Sequence, residues 1–375
     1  MRALAGIVGI VVIVAMLWDA FETIVLPRRV RARFRLARLF YHFTWRPVSR
    51  LVCAITSQTR KGTLLGFYGP ISVLLLLILW ATGLVFGFGL LQYATGSALH
   101  FQEETPRVAT DLYFSGTTFF TLGLGDVFPR TMLARILTVL EAGLGFGFLA
   151  LIIGYLPALN QEFSRREVNI SMLDERAGSP ATASEMLRRN VAEGTLEDLQ
   201  PLLSDWEEWS AELLESHLSY PFLAYFRSHH ENQSWLGALT TILDTSALLC
   251  SMLEGGSRRQ AWMTFAIARH AVFDLATVFG ISPTEPDPDR LPPADVAKLT
   301  GVLTASGFKL QAVLEAHERL SEFRCMYEPY AFSLAKYFCL DLPPWIGEEH
   351  APDNWESGAR GRGPVERHRH PARHS

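Results

Sequence analysis

Apolar residues are concentrated in three long runs near the amino terminus, and polar segments separate these runs. The runs extend over 4–26, 64–91 and 132–159. A helix needs about 20 residues, at a rise of about 1.5 Å each, to cross the hydrocarbon layer of a bilayer. The pattern therefore predicts three membrane-spanning helices. The third is the least apolar because it contains Arg135 and Glu141.

Beyond residue 160 the pattern changes to apolar stretches at helical spacing, interrupted by Gly and Pro. Alternating strand patterns are absent from this part of the sequence. We therefore expect an all-α membrane protein with a helical bundle over 160–350 and a disordered, Gly-, Arg- and His-rich tail over 351–375. The candidate helices of the bundle are 181–192, 195–229, 233–254, 258–279, 293–321 and 323–340.

The segment 28–62, between the first two apolar runs, contains ten Lys and Arg residues and no Asp or Glu. Because basic loops stay on the cytoplasmic side, the amino terminus is predicted outside and the helical bundle inside. Residues 1–27 are predicted to form an anchored helix rather than a cleaved signal peptide, since no small-residue cleavage site closes the run. Aromatic residues interleave with the arginines, which is typical of an amphipathic helix on an anionic inner leaflet.

Charge and cysteine usage restrict the function classes. The formal net charge of −4 argues against a nucleic-acid-binding protein. His270 and Asp274 are four residues apart in one candidate helix, but this pair alone does not indicate a metal site. The cysteines have no C-x-x-C or zinc-type spacing and are interpreted as reduced structural thiols. They are Cys53, Cys250, Cys325 and Cys339.

The segment DLYFSGTTFFTLGLGD, residues 111–126, lies between the second and third apolar runs. Its last nine residues fit T-x-x-T-x-G-x-G-D. Gly123 and Gly125 can adopt positive φ without steric cost, as a strand needs if it is to aim successive carbonyl groups to one side. Such carbonyls from several chains can replace the water around a cation. The Thr121 hydroxyl adds an oxygen, and Asp126 raises the local cation concentration.

This motif resembles the pore signature of potassium channels. Leu124 replaces the usual aromatic residue, and a leucine also occurs there in the second pore loop of some two-pore-domain potassium channels. The resemblance covers 64–158 within a pore domain over 63–159, and implies a re-entrant pore helix near 109–120 supported by Thr117 and Thr118. The implied selectivity filter consists of Thr121, Leu122, Gly123, Leu124, Gly125 and Asp126.

The third apolar run also carries features of the family. Phe128-Pro129 corresponds to its aromatic-proline turn, and Gly145 falls at the position of its inner-helix hinge, with Gly143 and Gly147 beside it. A glycine costs a helix about 1 kcal/mol relative to alanine, so a bend here is easily made. Small residues also line contacts between membrane helices. The sequence therefore leaves two alternatives for these glycines, a hinge in the helix or a close contact with another helix.

Three carboxylates lie within the predicted spans: Asp19, Glu22 and Glu141. Such groups are costly in a membrane and are often functional. They are candidate gating or permeation residues, which would concentrate cations or titrate, or they form structural ion pairs with arginines. We favour structural pairing for Asp19 and Glu22, and a role of Glu141 in conduction or gating. The arginines of 28–62 lack the spacing of a voltage sensor.

These observations predict a potassium-selective channel rather than an enzyme. One motif per chain implies a homotetramer, with no cofactor or bound metal other than permeant K+. The expected location is a plasma membrane, as in the inner membrane of a bacterium. No nucleotide-binding or cyclic-nucleotide-binding pattern is present to indicate a regulator. The alternatives are a weakly selective cation channel, because of Leu124, and a membrane-tethered helical signalling domain with a vestigial pore.

Overall fold

The structure, a computed structural model, describes residues 1–26, 36–53, 55, 58–95, 99–100, 107–191, 196–230, 232–256 and 258–347. The arginine cluster at 28–35 and the tail predicted to be disordered lie outside the described residues. The chain divides into two compact units. The first comprises Met1–Ser164 and Glu215–Arg227, and the second comprises Arg165–Leu214 and the chain from Ser228 onward.

The first unit contains the apolar runs, and the prediction of three apolar helices is confirmed. α1 (Arg2–Ala20) continues into a π-helical turn, and α1, α3 (Gln58–Ala94) and α5 (Met132–Ala177) are long and apolar enough to cross a membrane. The third helix extends well beyond residue 159, where its predicted span ends. α2 (Leu36–Cys53) lies in the basic segment, and α4 (Arg107–Phe119) precedes the Gly-containing motif.

A two-residue strand pair accompanies these helices. β1 (Leu99–His100) pairs antiparallel with β2 (Phe128–Pro129), which follows the motif. The motif is thereby held between the end of α4 and a short ladder before α5.

Glycines allow α1 and α3 to pack closely. A Cβ atom added to Gly9 would lie 2.7 Å from the Gly87 carbonyl oxygen, and one on Gly83 would meet the Met16 side chain. Small residues permit such an approach between membrane helices. An apolar core that includes Leu84 continues from this contact to Phe119 at the end of α4. The packing of α1 on α3 therefore supports the end of α4.

The described residues of the second unit are mainly helical, as the sequence predicts, with one isolated antiparallel bridge between Leu253 and Leu310. Its core is α8, in which nearly every residue is buried. The helices are α6 (Ala183–Asn190), α7 (Leu199–Ser219), α8 (Trp235–Ser251), α9 (Arg258–Phe279), α10 (Pro293–Ala305), α11 (Val313–Cys325) and α12 (Glu328–Phe338). The end of α7, from Glu215, belongs to the first unit.

Two predicted helices are wrong in extent. The helix expected over 195–229 ends at Ser219, because Pro221 restricts the preceding residue to non-helical backbone. A 3₁₀ turn, Pro221–Tyr225, follows it. The helix expected over 293–321 is interrupted after Ala305, where Gly307 adopts a φ of +85° and ends the helix.

Candidate functional site

The backbone after α4 has an unusual alternation of conformations. Thr121, Gly123 and Gly125 have φ values of 57°, 55° and 83°, whereas Leu122 and Leu124 between them do not have positive φ. Positive φ is readily accepted by glycine and is uncommon for threonine. When residues alternate between positive and negative φ, the carbonyl oxygens of successive peptide groups point to the same side. In an ordinary strand, successive carbonyl oxygens point to opposite sides. The segment therefore differs from a regular strand in the orientation of its carbonyl groups.

Backbone hydrogen bonds define which way these groups face. The Thr121 amide donates to the Thr118 carbonyl oxygen at 3.0 Å, and the Leu122 amide donates to the Thr117 carbonyl oxygen at 2.8 Å. In a trans peptide the carbonyl points opposite to the N–H of the same unit. The carbonyl groups of Phe120 and Thr121 therefore point away from α4.

The predicted support residues lie at the end of α4. Thr117 and Thr118 are buried, and the Thr117 hydroxyl donates to the Phe114 carbonyl oxygen at 3.0 Å. The side chains of Leu122 and Leu124 are 62% and 63% exposed in the single chain. The segment is thus attached to α4 through its backbone, while its leucine side chains are left uncovered by the described residues of its own chain.

The Asp126 carboxylate is held in place by two donors. The Tyr113 hydroxyl donates to its Oδ2 at 2.9 Å, and the Val127 amide donates to its Oδ1 at 3.0 Å. Sequence reasoning missed Tyr113, because a tyrosine in a helix is ordinarily a packing residue. Only the return of the chain along α4 brings it to Asp126. The sequence signal that could have pointed to it was the hydroxyl group of Tyr113, a hydrogen-bond donor within the motif itself.

Gly145 marks a close approach of α5 to α4. A Cβ atom there would collide with the Phe119 carbonyl oxygen, whereas Gly143 and Gly147 have open space at the same position. Helix α5 is continuous through these residues. Close packing against Phe119 therefore explains why residue 145 is a glycine. A bend of α5 at this residue stays a prediction.

Glu141 is fully enclosed within its own chain, with an exposed fraction of 0%. Its carboxyl group is hydrogen-bonded to the Ser115 hydroxyl of α4, and that hydroxyl lies 2.7 Å from the Val85 carbonyl oxygen of α3. In the single chain Glu141 therefore joins three helices and does not face an open path.

Asp19 and Glu22 are also buried. Asp19 accepts hydrogen bonds from the Trp80 indole at 2.8 Å and from the Ala37 amide at 3.1 Å, near the start of α2. Among the described residues, its hydrogen-bond donors are thus neutral groups. Arg28 and Arg29, two of the arginines suggested as ion-pair partners, lie outside the described residues. Arg135, the other suggested partner, donates to the Pro129 carbonyl oxygen at 3.4 Å.

The described part of the chain contains no cluster of three or more His, Cys, Asp or Glu side chains that could hold a metal ion. His270 Nε2 lies 3.2 Å from Asp274 Oδ2 on α9, where the histidine is exposed and the aspartate is buried. Cys250, Cys325 and Cys339 are free thiols.

Comparisons with known proteins agree with the membrane character of this region. A protein-family model described as an ion channel matches residues 67–162, which include α4 and the motif. The "Uncharacterized membrane protein YdjJ" of Bacillus subtilis (strain 168) is 26% identical over 184 residues, which cover 48% of this chain. The chain thus spans about half of that relative, 52% of its length. No solved structure matches significantly. The matches support an ion channel and a membrane location, and favour ion transport over enzymatic activity.

Proposed function

We propose that this chain is one subunit of a homotetrameric, potassium-selective channel that conducts K+ passively across a plasma membrane. The observation that carries the proposal is the alternating backbone of 121–125, whose first carbonyl groups point away from α4. A dehydrated cation needs several such oxygens arranged around it. One chain supplies one row of carbonyls, so four chains would complete the ring around an axis.

In this proposal α4 is the pore helix, and residues 121–126 form the selectivity filter. The carboxyl-terminal end of a helix carries a partial negative charge, which favours a cation near the end of α4. Asp126, oriented by Tyr113, would concentrate cations at the outer mouth. Helix α5 would line the inner part of the pore, and residues from 160 onward would lie in the cytoplasm.

Helix α2 fits contact with an anionic inner leaflet. Its buried face includes Tyr41 and Trp45, whereas Leu39, Phe43 and Leu51 are exposed. Exposed arginines accompany these apolar side chains along the helix. Apolar side chains that enter the headgroup region next to basic ones are typical of helices lying on anionic lipid.

Reversal potential tests the proposal. Purified full-length protein is reconstituted in planar bilayers with K+ on one side and Na+ on the other. We expect currents that reverse near the potassium equilibrium potential. Gly123→Ala should abolish this selectivity, because the φ of 55° at Gly123 disfavours a side chain even though the surrounding space is open. Gly301→Ala, in open space on α10 of the second unit, is the matched control and should leave the reversal potential unchanged.

A second candidate, a weakly selective cation channel, is favoured by Leu124, because its exposed side chain cannot brace the filter through a hydroxyl group as a tyrosine does. A reversal potential near zero that still depends on Gly123 would support it over the potassium-selective channel. Absence of current, or a current that Gly123→Ala leaves unchanged, would contradict both candidates.

A further inference from the structure

Two residues of α5 meet two residues of α4 with matched spacing. Glu141 and Gly145 are one turn apart on α5, and Ser115 and Phe119 are one turn apart on α4. Glu141 is hydrogen-bonded to Ser115, and Gly145 lies against the Phe119 carbonyl group. The two helices are therefore in register at two consecutive turns, directly before the filter segment begins.

The hydrogen bonds at Ser115 determine which form of Glu141 fits. The Ser115 hydroxyl has one proton, and a carbonyl oxygen and an ionised carboxylate can only accept. With an ionised Glu141, the hydroxyl could direct its proton to either Val85 or Glu141, and the other pair of oxygens would lie at hydrogen-bond distance with no proton between them. With a protonated Glu141, the carboxylic acid donates to Ser115 Oγ, and Ser115 donates to the Val85 carbonyl oxygen, 2.7 Å away.

The surroundings of Glu141 favour the neutral form as well. Both Glu141 and Ser115 have an exposed fraction of 0%. Among the described residues, Ser115 is hydrogen-bonded to Oε1 of Glu141, and Oε2 of Glu141 has no hydrogen-bond partner. No ion pair joins Glu141 to a basic side chain of the described part of the chain. A buried charge without a partner costs far more free energy than a neutral, hydrogen-bonded acid.

We infer that protonated Glu141 is a positioning residue for the filter. Its carboxyl O–H donates a hydrogen bond to Ser115, and Ser115 donates one to the Val85 carbonyl oxygen. This relay fixes α4 between α3 and α5. This inference rests on the proposed function, because the filter is the part it positions. The relay reaches the filter by a short path, since Ser115 lies two residues before Thr117, whose carbonyl accepts the Leu122 amide. A displacement of α4 would move the carbonyl row with it.

The first test detects the proton directly and does not depend on conduction. Infrared spectra are recorded from the full-length protein in lipid at neutral pH, and variants are subtracted from wild type. The Glu141→Gln difference should contain the carbonyl stretch of a protonated carboxylic acid. Glu185→Gln is the control, because the Arg188 and Arg189 partners keep Glu185 ionised. Absence of that stretch from the Glu141→Gln difference would overturn the inference.

The second test asks what the relay does for conduction. Glutamine keeps an N–H donor to Ser115 and leucine does not, although their sizes are similar. Glu141→Leu and Ser115→Ala should lower K+ flux about tenfold, the effect of one buried hydrogen bond lost. Glu141→Gln should stay within about twofold of wild type, since a neutral donor is retained.

Thermal unfolding of each full-length variant separates positioning from folding. If Glu141→Leu unfolds, the comparison of Glu141→Gln with wild type still decides the question. A conducting wild type with a Glu141→Gln variant as impaired as Glu141→Leu would overturn the inference while leaving the proposed function intact. A wild type without K+ current would contradict the proposed function, and the infrared difference would still decide whether Glu141 carries a proton.

Discussion

At the scale of single residues, similar positions in the sequence have different surroundings in the structure. Gly143, Gly145 and Gly147 follow one another at alternate positions in α5, yet only Gly145 among these three lies against another helix. The sequence left hinge and packing open for this group. The contact with Phe119 shows which of the three glycines cannot carry a side chain.

A substitution series on these glycines is the first prediction. Gly145→Ala should lower the free energy of unfolding by about 1–3 kcal/mol, because the new methyl group meets a backbone carbonyl that has little room to move. Gly143→Ala and Gly147→Ala should be neutral or raise it by up to about 1 kcal/mol, since alanine favours the helix. Thermal unfolding in detergent, followed by tryptophan fluorescence, measures all three. An unchanged Gly145→Ala variant would contradict the packing.

The thiols of Cys250 and Cys325 are predicted to differ strongly in their rate of alkylation. Burial raises the pKa of the Cys250 thiol to about 11, so at pH 8 about one thiol in a thousand is ionised. Cys325 is exposed. Iodoacetamide at pH 8 should therefore label Cys325 in the folded protein and leave Cys250 unlabelled until a denaturant is added. Peptide mass spectrometry checks both sites, and rapid labelling of Cys250 under native conditions would show that it is accessible.

At the scale of elements, a short segment from the carboxyl-terminal half belongs to the unit that contains the apolar helices. Residues Glu215–Arg227 lie within the first unit, between two stretches of the second along the chain. The Tyr225 ring packs at 4.8 Å from the Tyr41 ring and 5.0 Å from the Trp45 ring of α2. It also packs at 5.6 Å from the Tyr68 ring of α3. This segment therefore holds α2 against α3.

Removal of this ring is predicted to loosen the first unit. Tyr225→Ala should cost about 3–5 kcal/mol, as for a buried aromatic side chain in a core. Phe43→Ala, on the exposed side of α2, is the matched control and should cost less than about 0.5 kcal/mol in detergent. Thermal unfolding compares the two variants. Equal effects would mean that the Tyr225 cluster does not stabilise the unit.

A second element-scale feature is a buried charged cluster in the helical unit. Arg290 pairs with Asp244 on α8 at 2.7 Å and with Glu328 on α12 at 2.8 Å, and it donates to the Pro343 carbonyl oxygen at 2.8 Å. Burial raises the pKa of Glu328, while the charges of Arg290 and Arg324 act in the opposite direction. The stability of this cluster thus depends on the buried carboxylates keeping their arginine partners.

Arg290→Met should lower the free energy of unfolding by about 3–5 kcal/mol, because it leaves two buried carboxylates without this partner. Arg319→Met is the control. Arg319 and Glu315 form an exposed pair, so the loss should be at most about 1 kcal/mol. Chemical denaturation of the full-length protein gives both values. Similar midpoints for the two variants would contradict a stabilising role of the buried cluster.

At the scale of the whole molecule, the proposed pore requires four copies of the chain. The single chain supplies one segment with the filter backbone, and the leucine side chains of that segment are exposed in isolation. We predict that the purified protein has a mass of about four times the 42.0 kDa of one chain. Mass photometry in lipid nanodiscs, with an empty-disc control, measures it. A monomer or dimer that still conducts would contradict the tetrameric pore.

Much of the architecture was accessible from local patterns. The bilayer demands about 20 consecutive apolar residues, so the three runs are visible without any contact being known. The need for positive φ pointed to Gly123 and Gly125, although the same conformation at Thr121 was not expected. Helix ends were less predictable, and the break after Ser219 went unnoticed although Pro221 marks it.

The sequence by itself determined the apolar spans and the Thr–Gly motif. Both are properties of consecutive residues, because a span needs an unbroken apolar run and the motif needs glycines at positions of positive φ. Only the tertiary structure decided the partners of the buried polar groups. Asp19 meets Trp80, and Glu141 meets Ser115, through the way separate helices pack. The physical reason is that a carboxyl group inside an apolar protein must take whichever donor the packing brings within reach, and no local pattern specifies that donor.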